Sequence, residues 1–187
     1  TKVVTAVEGG LVTTNDTALA DRLRSMRDYG RDPVHGEDMV DLGLSARMSE
    51  LHATVGLWSL RRVHEWGKAR LARIDIYRDR LGALPGCWVQ ELPEDRTTSG
   101  NYFVLFISGR AKTDRDTVYK KLQQAGIQTK RYFHPPVHEQ TLCKQWPTRM
   151  SSDLSRTERA RLEGLALPLY SHMTLEQLDA ICGTVEE

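Results

Sequence analysis

The apolar positions of this chain fall into three regions. In the first, Val3, Val4, Ala6 and Val7 form a short run that closes on Glu8, Gly9 and Gly10 and reopens as Leu11 and Val12, so residues 10–14 read as a short strand. Asn15-Asp16 then supplies a helix N-cap. Leu19, Leu23 and Met26 follow at i, i+4, i+7 as one buried stripe, and Gly30 stands where a C′ residue belongs. Residues 31–40, with Pro33 and Gly36, are polar and read as a surface loop.

The second region, from Met48 to about Leu84, is helical throughout. Leu51, Val55 and Trp58, then Leu71, Ile74 and Leu81, mark apolar faces broken around Gly67. The length exceeds that of a typical single helix and predicts two helices or one kinked helix, ended by Pro85-Gly86. The third region reads as a compact α/β unit. Residues 101–107, NYFVLFI, are apolar at successive positions and predict a strand covered on both sides. Thr113-x-x-Asp116 resembles a capping box with Asp in place of Glu; Val118, Leu122 and Ala125 give its helix stripe and Gly126 its stop. IQTKRYF returns as a strand before the stiff HPPVH turn. A second capping box, Thr174-x-x-Gln177, opens a final helix carrying Leu175, Leu178, Ile181 and Val185. No internal repeat and no low-complexity segment interrupts this order.

Composition adds exclusions. Hydrophobic residues make up 40% and charged residues 27% of the 187 positions, which fits a folded core of one domain or somewhat more. A net charge of +1 argues against a surface dedicated to nucleic acid or anionic lipid. No apolar run approaches the ~20 residues of a membrane span. Cys87, Cys143 and Cys182 are odd in number and far apart, giving neither a disulfide framework nor a zinc pattern; buried small hydrophobes in a reducing cytoplasm are the simplest reading.

Candidate chemistry is sparse. His134 and His138 are four apart, but Pro135 and Pro136 between them oppose the helix that would put both on one face, and no converging ligand set accompanies them, so no metal site is expected. Nucleophile-elbow, phosphate-loop and dinucleotide glycine patterns are missing. Basic residues gather in TKRYFHPPVH. They read either as a strand end with solvated charges and an aromatic anchor, or as an anion-binding rim in which Arg131 meets a phosphate in bidentate fashion. Lys2 is open in the same way: a surface lysine with its stem along the core, or a desolvated amine able to form a Schiff base.

Taken in order, TKVVTAVEGGLVTTND, RSMRDYG, GLSARMSELHATVGLWSL, NYFVLFI, RYFHPPVH and LPLY resemble the second half of the DegT/StrS family of sugar aminotransferases, over nearly the whole chain. The resemblance implies an α/β fold of the aspartate aminotransferase class (fold type I). Residues 1–47 would end the large domain that binds pyridoxal phosphate, residues 48–86 would form linking helices, and residues 87–187 a small α/β C-terminal domain. It also implies that the chain starts about halfway along a longer subunit, and that groups stacking on or pairing with the cofactor ring lie upstream.

By that resemblance the Thr1-Lys2 pair supplies the Schiff-base lysine, so Lys2 is the catalytic and cofactor-bound residue. Ser45 and Arg47 correspond to an Asn and a basic residue that reach the cofactor phosphate of a neighbouring subunit. Serine stands here for asparagine and has a shorter reach. Tyr132 and His138 correspond to residues bordering the nucleotide-sugar site, with Arg131 a candidate to meet the substrate's diphosphate. The implied reaction moves an amine from an amino-acid donor to a nucleotide-linked keto-sugar in a homodimer with shared sites, and without nucleic-acid or membrane partners. The alternatives are a non-nucleotide ketone such as a keto-cyclitol, or a non-catalytic module for dimerisation. Lys2 argues against the histidine-bearing dehydratases of the same superfamily.

Overall fold

The computed structural model describes every residue except Thr1, Pro147, Thr148, Met150 and Ser151. It divides into two compact units, Lys2–Val63 and His64–Glu187. Helix α2 (Glu50–Leu81) runs unbroken through 32 residues, roughly 48 Å of helix, and contributes to both. Gly67 lies inside it without ending it, so of the two alternatives one helix forms rather than two. Among the described residues no helix is long and apolar enough to cross a membrane.

In the unit Lys2–Val63, α1 (Thr17–Met26) is capped by Asp16, whose carboxylate accepts from the Leu19 N–H at 3.1 Å. The expected strand over residues 10–14 is not formed. A strand needs a partner for its ladder, none pairs with it among the described residues, and Leu11 and Val12 stand 74% and 71% exposed. The α1 stripe is also less buried than its spacing implies: Leu19 is exposed, and Leu23 and Met26 are half-buried. Gly30 is not the C′ residue. The helix closes on Arg27 in an ordinary helical conformation, and Gly30, at φ +76, belongs to the following turn, where an added Cβ would run into the Asp41 carbonyl. Residues 31–40 form the expected surface loop, tied by an Arg31–Met39 bridge and by the Asp32 N–H to the Asp38 carbonyl at 2.8 Å.

The unit His64–Glu187 is built on a three-stranded antiparallel sheet, β1 (Cys87–Val89), β2 (Phe103–Ile107) and β3 (Gly164–Leu167), with β2 central. Phe103 faces Leu167 and Cys87 faces Ile107 in register. Phe103, Leu105 and Ile107 point into the core, whereas Val104 and Phe106 are only half-buried. The second face, expected to be covered, is partly closed by Trp88, stacked on Phe106 at 3.9 Å between ring centroids. The segment IQTKRYF does not become a strand; only Lys130 pairs, exchanging two backbone hydrogen bonds with Ala166.

The core joins Ile74, Tyr77 and Leu81 of α2 to the sheet, to Val118 and Leu122 of α3 (Arg115–Gln124), and to Leu178, Ile181 and Val185 of α6 (Leu175–Glu186). The capping box at Thr174 and Gln177 is present, with both reciprocal bonds made. At α3 the cap is Asp114 rather than Thr113: its carboxylate accepts from the Asp116 and Thr117 N–H groups. Two short helices, α4 (Thr141–Gln145) and α5 (Ser155–Glu163), complete the unit.

Two arginines of α2 hold the chain after β3. Arg70, only 8% exposed, donates from Nη1 to the Gly100 and Leu169 carbonyls and from Nε to Ser171 Oγ. Arg73 donates from Nε and Nη2 to the Met173 carbonyl. Replacing Arg70 with Ala strands two carbonyls and a hydroxyl and is expected to lower unfolding free energy by about 2–4 kcal/mol in urea denaturation. Arg70→Lys, which restores at most part of the set, falls between the two.

Candidate functional site

Lys2 opens the segment that runs back along α2. The Thr5 N–H donates to Ser59 Oγ at 2.9 Å, and Ser59 is fully buried. Ala6 lies over Gly56, where an added Cβ would stand 3.2 Å from the Ala6 methyl, and Gly9 meets the Met48 side chain. The small residues at 56 and 9 are what allow this close approach. Lys2 is exposed, Val3 beside it is buried, and Thr1 lies outside the described residues. Val7 sits at φ +64, an uncommon conformation for a β-branched residue, with its N–H on Thr5 Oγ1.

Ser45 and Arg47 lie in a second cluster of the same unit. Residues 44–46 pair with 26–29 through Leu44 N–H to Met26 O, Tyr29 N–H to Leu44 O and Ala46 N–H to Arg27 O. This pairing brings the Tyr29 hydroxyl onto Ser45 Oγ at 3.0 Å and sets the Arg47 and Arg31 guanidinium carbons each 5.5 Å from the Tyr29 ring centre. Arg47 Nε stands 3.5 Å from Asp28 Oδ1, an ion pair too long for a hydrogen bond, and that buried oxygen has no hydrogen-bond partner. The Ser45 hydroxyl, able to donate to a phenolate, and the positive charge of Arg47 hold the Tyr29 phenol below its ordinary pKa. Two hydroxyls and a guanidinium at one point form a donor set suited to a phosphate. Sequence reasoning missed Tyr29, because its link to Ser45 depends on a pairing of segments that local pattern does not announce.

The ends of this unit are well separated along α2. Thr5 is fixed at Ser59, whereas Ser45 and Arg47 precede Glu50, with roughly 14 Å of helix axis between the two anchor points. Ser45 and Arg47 share one cluster, and Thr5 of the Lys2 segment is anchored at a different point of α2.

In the other unit, Arg131, Tyr132 and His138 have different neighbours. Arg131 lies over the Tyr119 ring at 5.1 Å and stands 3.5 Å from Asp116. Tyr132 packs edge-on against Tyr102, 5.1 Å between centroids. His138, in the 3₁₀ turn Val137–Glu139, shares a hydrogen bond of 2.6 Å with Glu158 of α5. Glu139 joins them, and the three ligating atoms come within 4.8 Å of one another. That proximity is already spent on cation pairing: Arg161 contacts Glu158 at 2.7 Å and Glu139 at 3.9 Å. The cluster is an ion-pair network tying the turn to α5.

Residues 1–186 match the sequence model of the DegT/DnrJ/EryC1/StrS aminotransferase family. The chain belongs to that family. It is 30% identical over 189 positions to GDP-perosamine synthase from Caulobacter vibrioides, covering 100% of this chain and 49% of that protein. Among solved family structures, DesI in the presence of its TDP-sugar product aligns with a TM-score of 0.82 and 29% identity, covering 98% of this chain and 46% of the other. An aminotransferase from Brucella abortus aligns at 0.81 and 26%, covering 92% of this chain and 44% of its own. The architecture is thus that of fold-type I sugar aminotransferases, and the chain spans about half the length of the curated relatives it matches.

The ion pairing around Glu158 carries a pH dependence. Its carboxyl is held below the usual glutamate range, first by the hydrogen bond from Arg161 and then by His138. A depressed folded pKa stabilises the native state above the ordinary carboxylate value, and this contribution is lost as pH falls through the folded value. Glu158→Gln is therefore expected to melt below the parent at pH 7, with the gap closing under about pH 4. Thermal melts across that range check it.

Proposed function

We propose that this chain serves pyridoxal-phosphate-dependent transamination of a nucleotide-linked keto-sugar, with an amino acid as amine donor. The observation that carries the reading is the family match over residues 1–186 with Lys2 standing in the Thr-Lys pair ahead of Glu8-Gly9-Gly10. In this reading residues 1–47 close the cofactor-binding domain, residues 48–86 link, and residues 87–187 form the small domain. The relatives' names, a GDP-sugar synthase and an enzyme crystallised with a TDP-sugar product, support a nucleotide-linked substrate. We also propose a cytoplasmic setting, in which the three cysteines stay free thiols.

The residues present suit the cofactor: an amine at Lys2, and a phosphate donor set at Tyr29, Ser45 and Arg47. Pyridoxal phosphate, when bound, supplies the electron sink for a carbanion at the donor's Cα. Lys2 takes the proton from that Cα and delivers it to the cofactor's C4′, acting first as general base and then as acid. Ser45 and Arg47 hold the phosphate, and Arg131, Tyr132 and His138 border the sugar substrate. The Tyr29 hydroxyl orients the shorter serine that stands in the family's asparagine position.

The likeness of Ser45 and Arg47 to family residues that reach a neighbouring subunit's cofactor supports sites shared between the subunits of a homodimer. In the full-length protein, Lys2→Ala and Lys2→Arg are each expected to abolish the visible absorbance of covalently bound cofactor and to lower turnover by more than about a thousandfold, because a guanidinium stays protonated and cannot act as the imine nucleophile. Near parental turnover in either variant would refute the assignment. Mixing inactive Lys2→Ala and Arg47→Ala subunits, with exchange demonstrated, is expected to restore part of the activity. No recovery rules out the cross-subunit role of Arg47.

A further inference from the structure

Tyr29 stands where backbone preference does not favour an aromatic residue. Its φ is +63, a left-handed conformation uncommon outside glycine, and Gly30 follows it at φ +76. The antiparallel pairing of residues 26–29 with 44–46, centred on the Asp28–Ser45 bridge, holds it there. Gly43 permits the approach, because a Cβ at that position would collide with the Gly30 nitrogen and the Tyr29 carbonyl carbon. The Arg31 and Arg47 guanidinium carbons each lie 5.5 Å from the ring centre, and the hydroxyl donates to Ser45 Oγ at 3.0 Å.

The direction of that bond has a chemical reason. A phenol is more acidic than an alkyl hydroxyl and the better donor, while the serine oxygen is the better acceptor. Ser45 therefore accepts from Tyr29 and keeps its own proton, which no acceptor takes among the described residues. A hydroxyl that accepts one hydrogen bond is polarised and donates a stronger one. The geometry points to Tyr29 and Ser45 acting as a single donor, a relay in which the phenol fixes and polarises the serine hydroxyl and so presents its proton to the cofactor phosphate. Tyr29 is then a positioning residue that acts through Ser45. The relay rests on the reading of Ser45 and Arg47 as phosphate donors. A carboxamide holds two donors fixed in a plane, whereas a serine hydroxyl has one proton that turns about the Cβ–Oγ bond. The phenol supplies the orientation that the serine lacks.

Isothermal titration of the cofactor-free, full-length protein with pyridoxamine phosphate tests the relay, because this ligand carries the phosphate and makes no covalent bond to Lys2. Tyr29→Phe, which keeps the ring beside both guanidinium groups, and Ser45→Ala are each expected to weaken binding by roughly tenfold. The double variant is expected to bind no more weakly than Ser45→Ala, since the two hydroxyls act in series. Ser45→Asn supplies a donor that needs no relay, so on that background Tyr29→Phe is expected to change affinity by less than about twofold. A purely structural role for Tyr29 would not be rescued in this way. Parental affinity in Tyr29→Phe, additive losses in the double variant, or an undiminished effect in the Ser45→Asn protein each overturns the relay and leaves the transaminase reading in place. A parent that does not bind pyridoxamine phosphate overturns that reading and the relay with it.

Discussion

Tyr77 joins three parts of the unit His64–Glu187 with one side chain. Its ring, fully buried, stacks on Phe103 of β2 at 4.7 Å between centroids, and its hydroxyl donates to the Pro168 carbonyl at 2.9 Å. Burial raises the phenol's pKa, so the hydroxyl remains a donor across the ordinary pH range. Tyr77 lies on a stripe of α2 that also carries Arg70, Arg73, Ile74 and Leu81, spaced three or four residues apart. Along this stripe apolar residues bury against the sheet while polar ones take the carbonyls of residues 168–173. Those carbonyls leave β3 with no further strand to pair with, and a buried carbonyl must find a donor. The helix therefore supplies both the core and the backbone satisfaction of the returning chain.

What the sequence made legible was local. The Thr174 capping box and the stripe of α6 need only neighbours within one or two turns, and both are present. At α3 the helix was legible but its start was off by one residue, because Thr113 and Asp114 are both able to cap and the Asp114 carboxylate takes two N–H groups. Strands were less legible. Residues 10–14 and 127–133 both have strand composition, yet a strand exists only where a partner offers a ladder, and only Lys130 has one. The site shows the same division. Lys2, Ser45 and Arg47 are candidates from motif order alone, whereas Tyr29 joins them only because residues 26–29 meet 44–46 in the fold.

The two units differ in what holds them. The sheet-bearing unit has a contiguous apolar core, whereas Val3 is the one buried apolar side chain among the described residues of Lys2–Val63. Leu11, Val12, Leu42, Leu44 and Leu51 are all more than 70% exposed. Its order comes from hydrogen bonds instead: Asp16 at the α1 cap, Thr5 on Ser59, and the pairing of 26–29 with 44–46. Such bonds exchange with water at small net gain, and exposed apolar residues on this scale mark surfaces that meet other polypeptide. The apolar pattern that failed to form a buried stripe in α1 is the same signal seen from inside one unit.

That arrangement bears on how the candidate cofactor residues relate. Ser59 and Gly56 fix the Lys2 segment against one stretch of α2, and the pairing with α1's end fixes Ser45 and Arg47 ahead of its first turn. A helix is stiff, so the distance between the two anchor points is set by residue count rather than by side-chain motion. Exposed apolar residues on this same stretch of α2 suit burial against another polypeptide. The exposed Leu51, Leu57 and Trp58 on the same stretch of helix give such a contact an apolar surface to bury. Spacing along α2 thus sets where the Lys2 segment and the turn carrying Ser45 and Arg47 stand within this unit, and Leu51, Leu57 and Trp58 lie between the two anchor points.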